Sequence, residues 1–391
     1  MMEPGAIDVM KNSIFRFVLL AALLAALVGR AAAAGWLEVS PAKISTVETE
    51  LGGLKVGITY ELKDTSVTKE SPAWVFVRYS EDSGRTWKLL EREFATGNGL
   101  GLVESPGAKY IDWWGTDEAG PRSGDSLIVK VRAVALARVP AGTFTMKSTP
   151  GGGYDGERIG RVVAELPLYY LAKYETTISQ YADYLNETGR LGFGWSTQMA
   201  DSLRCGIERE EGDGGFAYTV AAGREDYPVS FVSWYDAVAF LDWCGLKLPT
   251  EAQWEKAYRG GKYLDGDSTA QQANPNPERN YPWGNQEPGE GGVFRCNWRG
   301  AEDGFPDLAP VGSFPAYASP YGICDLAGNV AEWTSDWYAT TYHVGLDGYR
   351  MARGGSWRSF PSGLDAISGA TNLPLSESGI MGFRGAFEPG R

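Results

Sequence analysis

The hydrophobic pattern of this chain changes period at about Val139, and that change limits the fold to a mixed architecture of strands followed by short helices and loops. Upstream, LKVGITYEL (54 to 62) places Leu54, Val56, Ile58, Tyr60 and Leu62 on one face, and SLIVKVRAV (126 to 134) repeats the alternation with Leu127, Val129 and Val131. A period of two marks a strand with one buried face. With Gly, Pro, Asp and Ser clusters between such runs, residues 35–136 are expected to form a small all-β sandwich. Downstream, Ile178, Tyr181, Ala182 and Leu185 recur at helical spacing, and Gly189 can end that helix. Ser233 with Asp236 forms a capping box for a second helix, with Trp234, Ala237, Val238 and Leu241 on its apolar face and Gly245 at its end. Thr250 with Gln253 caps a third, closed by Gly260. Regular structure then nearly runs out, and so long an irregular stretch needs ties such as metals or disulfides.

At 391 residues and 43% hydrophobic, the chain can bury two cores. Its formal charge of -13, with Lys and Arg scattered, leaves no basic stripe to displace counterions from nucleic acid, so nucleic acid is excluded as a partner. The same acidity disfavours an anionic membrane and leaves carboxylates for divalent cations. Lys11 and Arg16 precede the apolar run FVLLAALLAALV (17 to 28) and the small residues AAAA (31 to 34). That order reads as a signal peptide over residues 1–34, cleaved near Ala34, and implies an exported protein (periplasmic, cell surface or extracellular) with no direct membrane span after cleavage. Cys205, Cys244, Cys296 and Cys324 admit three disulfide pairings, and the sequence does not choose among them. A single histidine, His343, argues against zinc, iron or a Ser-His-Asp triad.

Several strings occur in a fixed order: VPAGTFTM (139 to 146), YETTISQYADYLN (174 to 186), YPVSFVSWYDAVAFLDWCGLKLPTEAQWEKAYRGG (227 to 261), YPWGN (281 to 285), PVGSFPAYASPYGICDLAGNVAEWTSDWY (310 to 338), RGGSW (353 to 357) and GFR (382 to 384). Together they resemble the formylglycine-generating enzyme family, that is, the sulfatase-modifying-factor domain, here assigned to residues 137–391. The resemblance implies an α+β fold, a variant of the C-type lectin fold. Upstream, SEDSGRTW (80 to 87) resembles the Asp-box of sialidase-type hairpins, a turn device with no catalytic implication. By position in the family, calcium would be held by Asp325 and Glu332 side chains with Gly328 and Val330 carbonyls. A second calcium would take the Asn297 and Asp303 side chains with Trp298 and Phe305 carbonyls. Both sets suit an oxygen-loving cation on an irregular loop.

The family oxidises with two cysteines, one lying two residues after the aromatic of GGS-aromatic and its partner five later. Here those positions are Ser359 and Leu364, which can neither form a thiolate nor bind copper through sulfur. No copper is therefore expected, no catalytic residue is assigned, and a formylglycine-generating oxidase is the alternative to a binding protein. The spacer RSFPSGLDAISGATNLPLSESGI (358 to 380) contains no Lys, His or Cys. Apart from Glu377, its residues are all reachable by adenine-directed mutagenesis of Asn codons, as in retroelement-diversified binding proteins on lectin-like scaffolds. A fixed loop has a similar composition, so both origins stay open. Trp357, Arg358, Ser359, Phe360, Leu364, Asp365, Ile367 and Asn372 are the expected ligand surface, for a protein or glycan.

Overall fold

The computed structural model describes residues 35–48, 54–114, 127–146, 162–212, 214–266, 270–338 and 348–390. The expected signal peptide and His343 lie outside them. The strands β1 (Lys43–Glu48), β2 (Leu54–Leu62), β3 (Ala73–Ser80), β4 (Lys88–Leu89), β5 (Ala95–Gly97), β6 (Gly101–Val103), β7 (Gly107–Trp113) and β8 (Ile128–Val139) come first. There follow β9 (Gly142–Met146), β10 (Val162–Leu166), β11 (Tyr169–Ala172), α1 (Ile178–Thr188), β12 (Ile207–Gly212), β13 (Gly215–Val220), α2 (Trp234–Cys244) and α3 (Glu251–Arg259). The chain closes with β14 (Ala331–Trp337), β15 (Arg350–Arg353), β16 (Gly369–Asn372), β17 (Met381–Gly382) and β18 (Ala386–Phe387).

One sheet, in the order β18-β11-β8-β3-β4 with β6 also on β3, runs through both halves of the chain. The long strand β8 makes this possible. Its residues Ile128 to Ala135 pair with β3, and its last four, Leu136 to Val139, pair with β11. The expected boundary between 136 and 137 therefore falls inside a strand. On one face Val75, Val77 and Tyr79 of β3 meet Val56, Ile58, Ile111 and Trp113 from the sheet β1-β2-β7-β5, giving the sandwich core. On the other, Trp74 and Phe76 enter a core built with α1 and α2. Successive strand residues point to opposite faces, so a strand covered on both sides is buried throughout, as β3 is.

Charge reinforces this second contact. Glu187 at the end of α1 is buried and receives Arg132 Nη2 at 2.9 Å, Lys130 Nζ at 3.1 Å, Arg78 Nε at 3.4 Å and the Trp243 indole N–H at 2.9 Å. Burial alone would raise its carboxyl, but Arg132 and Lys130 outweigh that and hold it below the ordinary carboxylate value. Trp36 packs on Phe76 and Trp243 and donates its indole N–H to Asp183 at 2.9 Å.

The helices start where the side chains dictate. Capping boxes form at Ser233/Asp236 and Thr250/Gln253, and a third at Thr177/Gln180 that the periodicity argument did not use. Gly245 closes α2 in the left-handed region at φ 76°. The buried face of α2 includes Ala237 and Leu241 as expected but is completed by Phe240, Trp243 and Cys244, while Trp234 and Val238 lie at its edge. The SEDSGRTW turn is a tight hairpin: Asp82 accepts from the Ser80 hydroxyl at 2.8 Å and from the Thr86 N–H and hydroxyl at 2.8 and 2.7 Å. No helix among the described residues is long and apolar enough to cross a membrane.

Candidate functional site

Two segments, 325 to 332 leading into β14 and 353 to 357 leaving β15, are laced together. Asp325, Gly328 and Asn329 all adopt positive φ, at 58°, 84° and 57°, which folds the segment into a compact knot. Gly328 is obligatory, since a Cβ there would sit 2.0 Å from the Asn297 carbonyl oxygen. Its N–H donates to the Gly354 carbonyl at 2.9 Å, and the Trp357 N–H donates to the Asn329 carbonyl at 2.9 Å. Asn329 is a four-way tie. Its Nδ2 donates to Glu175 at 2.7 Å and Ala309 O at 3.2 Å, while its Oδ1 accepts from Ala309 N at 3.0 Å and Asn297 Nδ2 at 3.0 Å.

Buried arginines do the rest. Arg384 grips both oxygens of Glu332 at 2.7 Å each and caps the carbonyls of Ala172, Lys173 and Cys324 at 3.0, 3.2 and 2.9 Å. The Trp254 indole N–H also donates to Glu332, at 2.9 Å. Arg353, fully buried, joins Glu251 and Glu255 on α3 to the carbonyls of Ala366 and Ile367 in the spacer. Each hydrogen bond here satisfies a group that would otherwise be stranded away from water.

Above this lattice the expected ligand residues divide by exposure. Arg358, Phe360 and Ile367 are exposed, and Trp357, Ser359, Asp365 and Asn372 are half-buried. Leu364 is not on the surface at all: it is 0% exposed, in a core with Trp254 and Tyr258. Its apolar side chain sinks while its carbonyl takes the Tyr258 hydroxyl at 2.6 Å. Asp365 turns inward, accepting the Ile367 and Ser368 N–H groups at 3.0 and 2.7 Å. Trp357 is anchored through its indole N–H on the Gly379 carbonyl at 3.1 Å, and the Ser359 hydroxyl accepts the Ser356 N–H at 3.0 Å. Two residues remote in sequence also reach this surface: Arg299 lies 4.4 Å from the Phe360 ring centroid and Arg204 lies 5.8 Å from that of Trp357. Nothing in their local sequence marks them, because the contact is tertiary.

Residues 129–389 match the sulfatase-modifying factor enzyme 1-like domain. The chain belongs to this family. The formylglycine-generating enzyme of Streptomyces coelicolor is 34% identical over 295 residues, covering 63% of this chain and 87% of that enzyme. The inactive C-alpha-formylglycine-generating enzyme 2 of Mus musculus is 32% identical over 300 residues, covering 66% of this chain and 87% of its own. The solved structure of Treponema denticola variable protein 1 superposes with a TM-score of 0.43 at 19% identity, covering 66% of this chain and 96% of that one. The α+β, C-type-lectin-like arrangement with little regular structure that the family implies is the one observed.

The family's calcium positions differ in how well they fit a cation here. Both oxygens of Glu332 are committed to Arg384 and Trp254, and Asp325 accepts the Gly312 N–H at 2.5 Å, so the set of Asp325, Gly328, Val330 and Glu332 presents no free carboxylate pair. Among the described residues no three His, Cys, Asp or Glu side chains are grouped to hold a metal. Asn297 is different. Its Nδ2 is fixed by Asp307 O at 2.9 Å and Asn329 Oδ1 at 3.0 Å, and its Oδ1 is buried with no hydrogen-bond partner. Asp303 accepts the Trp298 and Phe305 N–H groups at 3.0 and 2.9 Å, one on each oxygen. An orphaned, buried carbonyl-type oxygen is a donor that suits calcium.

The four cysteines are free, buried thiols. Burial pushes Cys205, Cys244 and Cys324 up to about 12 and raises Cys296 well above its ordinary value. A thiol held neutral in this way is a poor nucleophile.

Proposed function

We propose that this chain is an exported, non-catalytic member of the family, in which the segment from Trp357 to Asn372 binds a ligand. The observation that carries the reading is the fate of the two positions where the family places its cysteines. Ser359 closes a turn with Ser356, and Leu364 is packed into the core. The remaining thiols are buried and held neutral, which supports a reading without thiol-disulfide exchange. The test is incubation with a CxPxR sulfatase peptide, copper and reductant. No aldehyde is expected, and turnover that disappears on Ser359→Ala would restore the formylglycine-generating oxidase as the function.

Calcium in this proposal is structural, held by the side chains of Asn297 and Asp303 with the carbonyls of Trp298 and Phe305. It would tie the loop from 295 to 310 to the Asn329 knot. Millimolar calcium is expected to raise the melting temperature of chelator-treated protein, and Asn297→Ala to abolish the increase. A melting curve indifferent to calcium removes the metal from the proposal. The spacer's restricted composition, borne on exposed side chains, supports diversification of the same face. A near-identical template copy of the 3′ coding sequence beside a reverse-transcriptase gene is the expected genomic signature, and its absence leaves a binder of fixed sequence.

A further inference from the structure

We infer that the partner recognised by this face is a protein surface that combines acidic side chains with apolar ones. The inference rests on the binding reading above and specifies its ligand. The chain as a whole has a formal charge of -13, yet the segment from Trp357 to Phe360 gathers three arginines from separate stretches. Arg358 lies 5.6 Å and Arg204 5.8 Å from the Trp357 ring centroid, and Arg299 lies 4.4 Å from that of Phe360. The Arg299 N–H also donates to the Ser359 carbonyl at 3.2 Å, fixing that strand of chain beside the spacer.

A guanidinium held against an aromatic ring keeps its in-plane N–H groups available for a carboxylate, and loses little freedom when one arrives. Among the described residues Arg299 and Arg358 form no ion pair, while Arg204 meets Asp201 at 3.5 Å. Of the other carboxylates on this stretch, Asp365 is turned back onto backbone N–H groups and Glu377 is exposed. Arg299 and Arg358 thus stand on this face as cations without an acidic partner among the described residues, in a molecule whose overall sign is negative.

The same stretches of chain carry exposed apolar side chains. Phe360 is 59% exposed, Leu203 67%, Leu373 49%, Leu375 77% and Ile367 37%. Branched aliphatic side chains interleaved with arginine suit the mixed surface of a protein. A saccharide site would favour flat aromatic platforms and acidic or amide hydrogen-bonding groups, and those do not dominate here. The basic CxPxR type of peptide is also the wrong sign for three arginines.

The experiment pans a phage-displayed random dodecapeptide library on the full chain, then measures synthetic copies of the enriched peptides by fluorescence anisotropy. The expected peptides are net acidic with Leu or Phe. Their affinity should fall about tenfold or more in the combined variant Arg204→Gln, Arg299→Gln, Arg358→Gln, and fall steeply with added salt. Circular dichroism and an unchanged melting temperature control for folding, since none of the three guanidinium groups ties core segments together. Neutral or basic peptides that still depend on Phe360 overturn the acidic partner and leave the binding face standing. Peptides indifferent to Phe360→Ala and to the arginine variant overturn both readings. A sulfated heparin oligosaccharide is titrated in parallel, and arginine-dependent binding of it without any peptide binding overturns the choice of a protein partner.

Discussion

At the scale of single residues, the scaffold depends on a few buried charges that each join several segments. Arg384 is the clearest. It neutralises Glu332 and satisfies carbonyls from the β11 region and from the loop that ends at Asp325. Arg384→Ala leaves an uncompensated buried carboxylate and is expected to cost about 3–5 kcal/mol, read as a lowered urea midpoint. Arg384→Lys should recover little, because an ammonium cannot reproduce the fork across both Glu332 oxygens. RGGSW and GFR were visible as strings, but the partnerships of Arg353 and Arg384 were not. Each links residues far apart in sequence, and no local periodicity encodes such a contact. The same reason hid Arg204 and Arg299. Leu364 failed for the opposite cause: it sits among polar spacer residues, and only the tertiary core explains why it turns inward.

Elements were far more legible. The runs around Leu54 to Leu62 and Ile128 to Val134 declared strands by alternation, and Ser233, Thr250, Gly245 and Gly260 marked helix ends by side-chain chemistry. What alternation could not show is that β3 is covered on both faces, because that depends on which helices arrive later. The irregular region between α3 and β14 was expected to need metals or disulfides. Its cysteines are free thiols, and the ties on view are buried amides and arginines: Asn274 holds the carbonyls of Arg259 and Gly261, and Arg279 holds that of Pro282 and the Asn274 side chain. At element scale Gly245→Ala is the informative change. Its left-handed φ of 76° penalises a Cβ, so a loss of about 1–2 kcal/mol is expected. Calorimetry of the single variant measures it, and Ser233→Ala at the other end of α2 should lose about 1 kcal/mol.

For the whole molecule, the shared sheet and the Glu187 cluster predict a single cooperative unfolding transition rather than one for each half. Glu187→Gln is expected to lower the stability of both halves together, by about 3 kcal/mol, with sandwich and helical probes melting in step. The sign of the pH effect follows from the depressed carboxyl. Glu187 stabilises the fold above its unfolded-state value, and the contribution is lost as pH falls through the lower folded-state value. Urea midpoints measured from about pH 7 to about pH 3 should therefore drop more in wild type than in Glu187→Gln. The sheet has a further consequence for how the protein is made. Its edge strand β18 consists of Ala386 and Phe387, and the Phe387 ring lies 4.4 Å from Trp74 on β3. Synthesis is vectorial, so Trp36, Trp74 and Phe76 emerge long before α1, α2 and β18 exist to cover them. The nascent amino-terminal half must keep a greasy face shielded until α2 brings Trp243 onto Trp36 and Phe76, and the Trp74 ring waits longer still for Phe387.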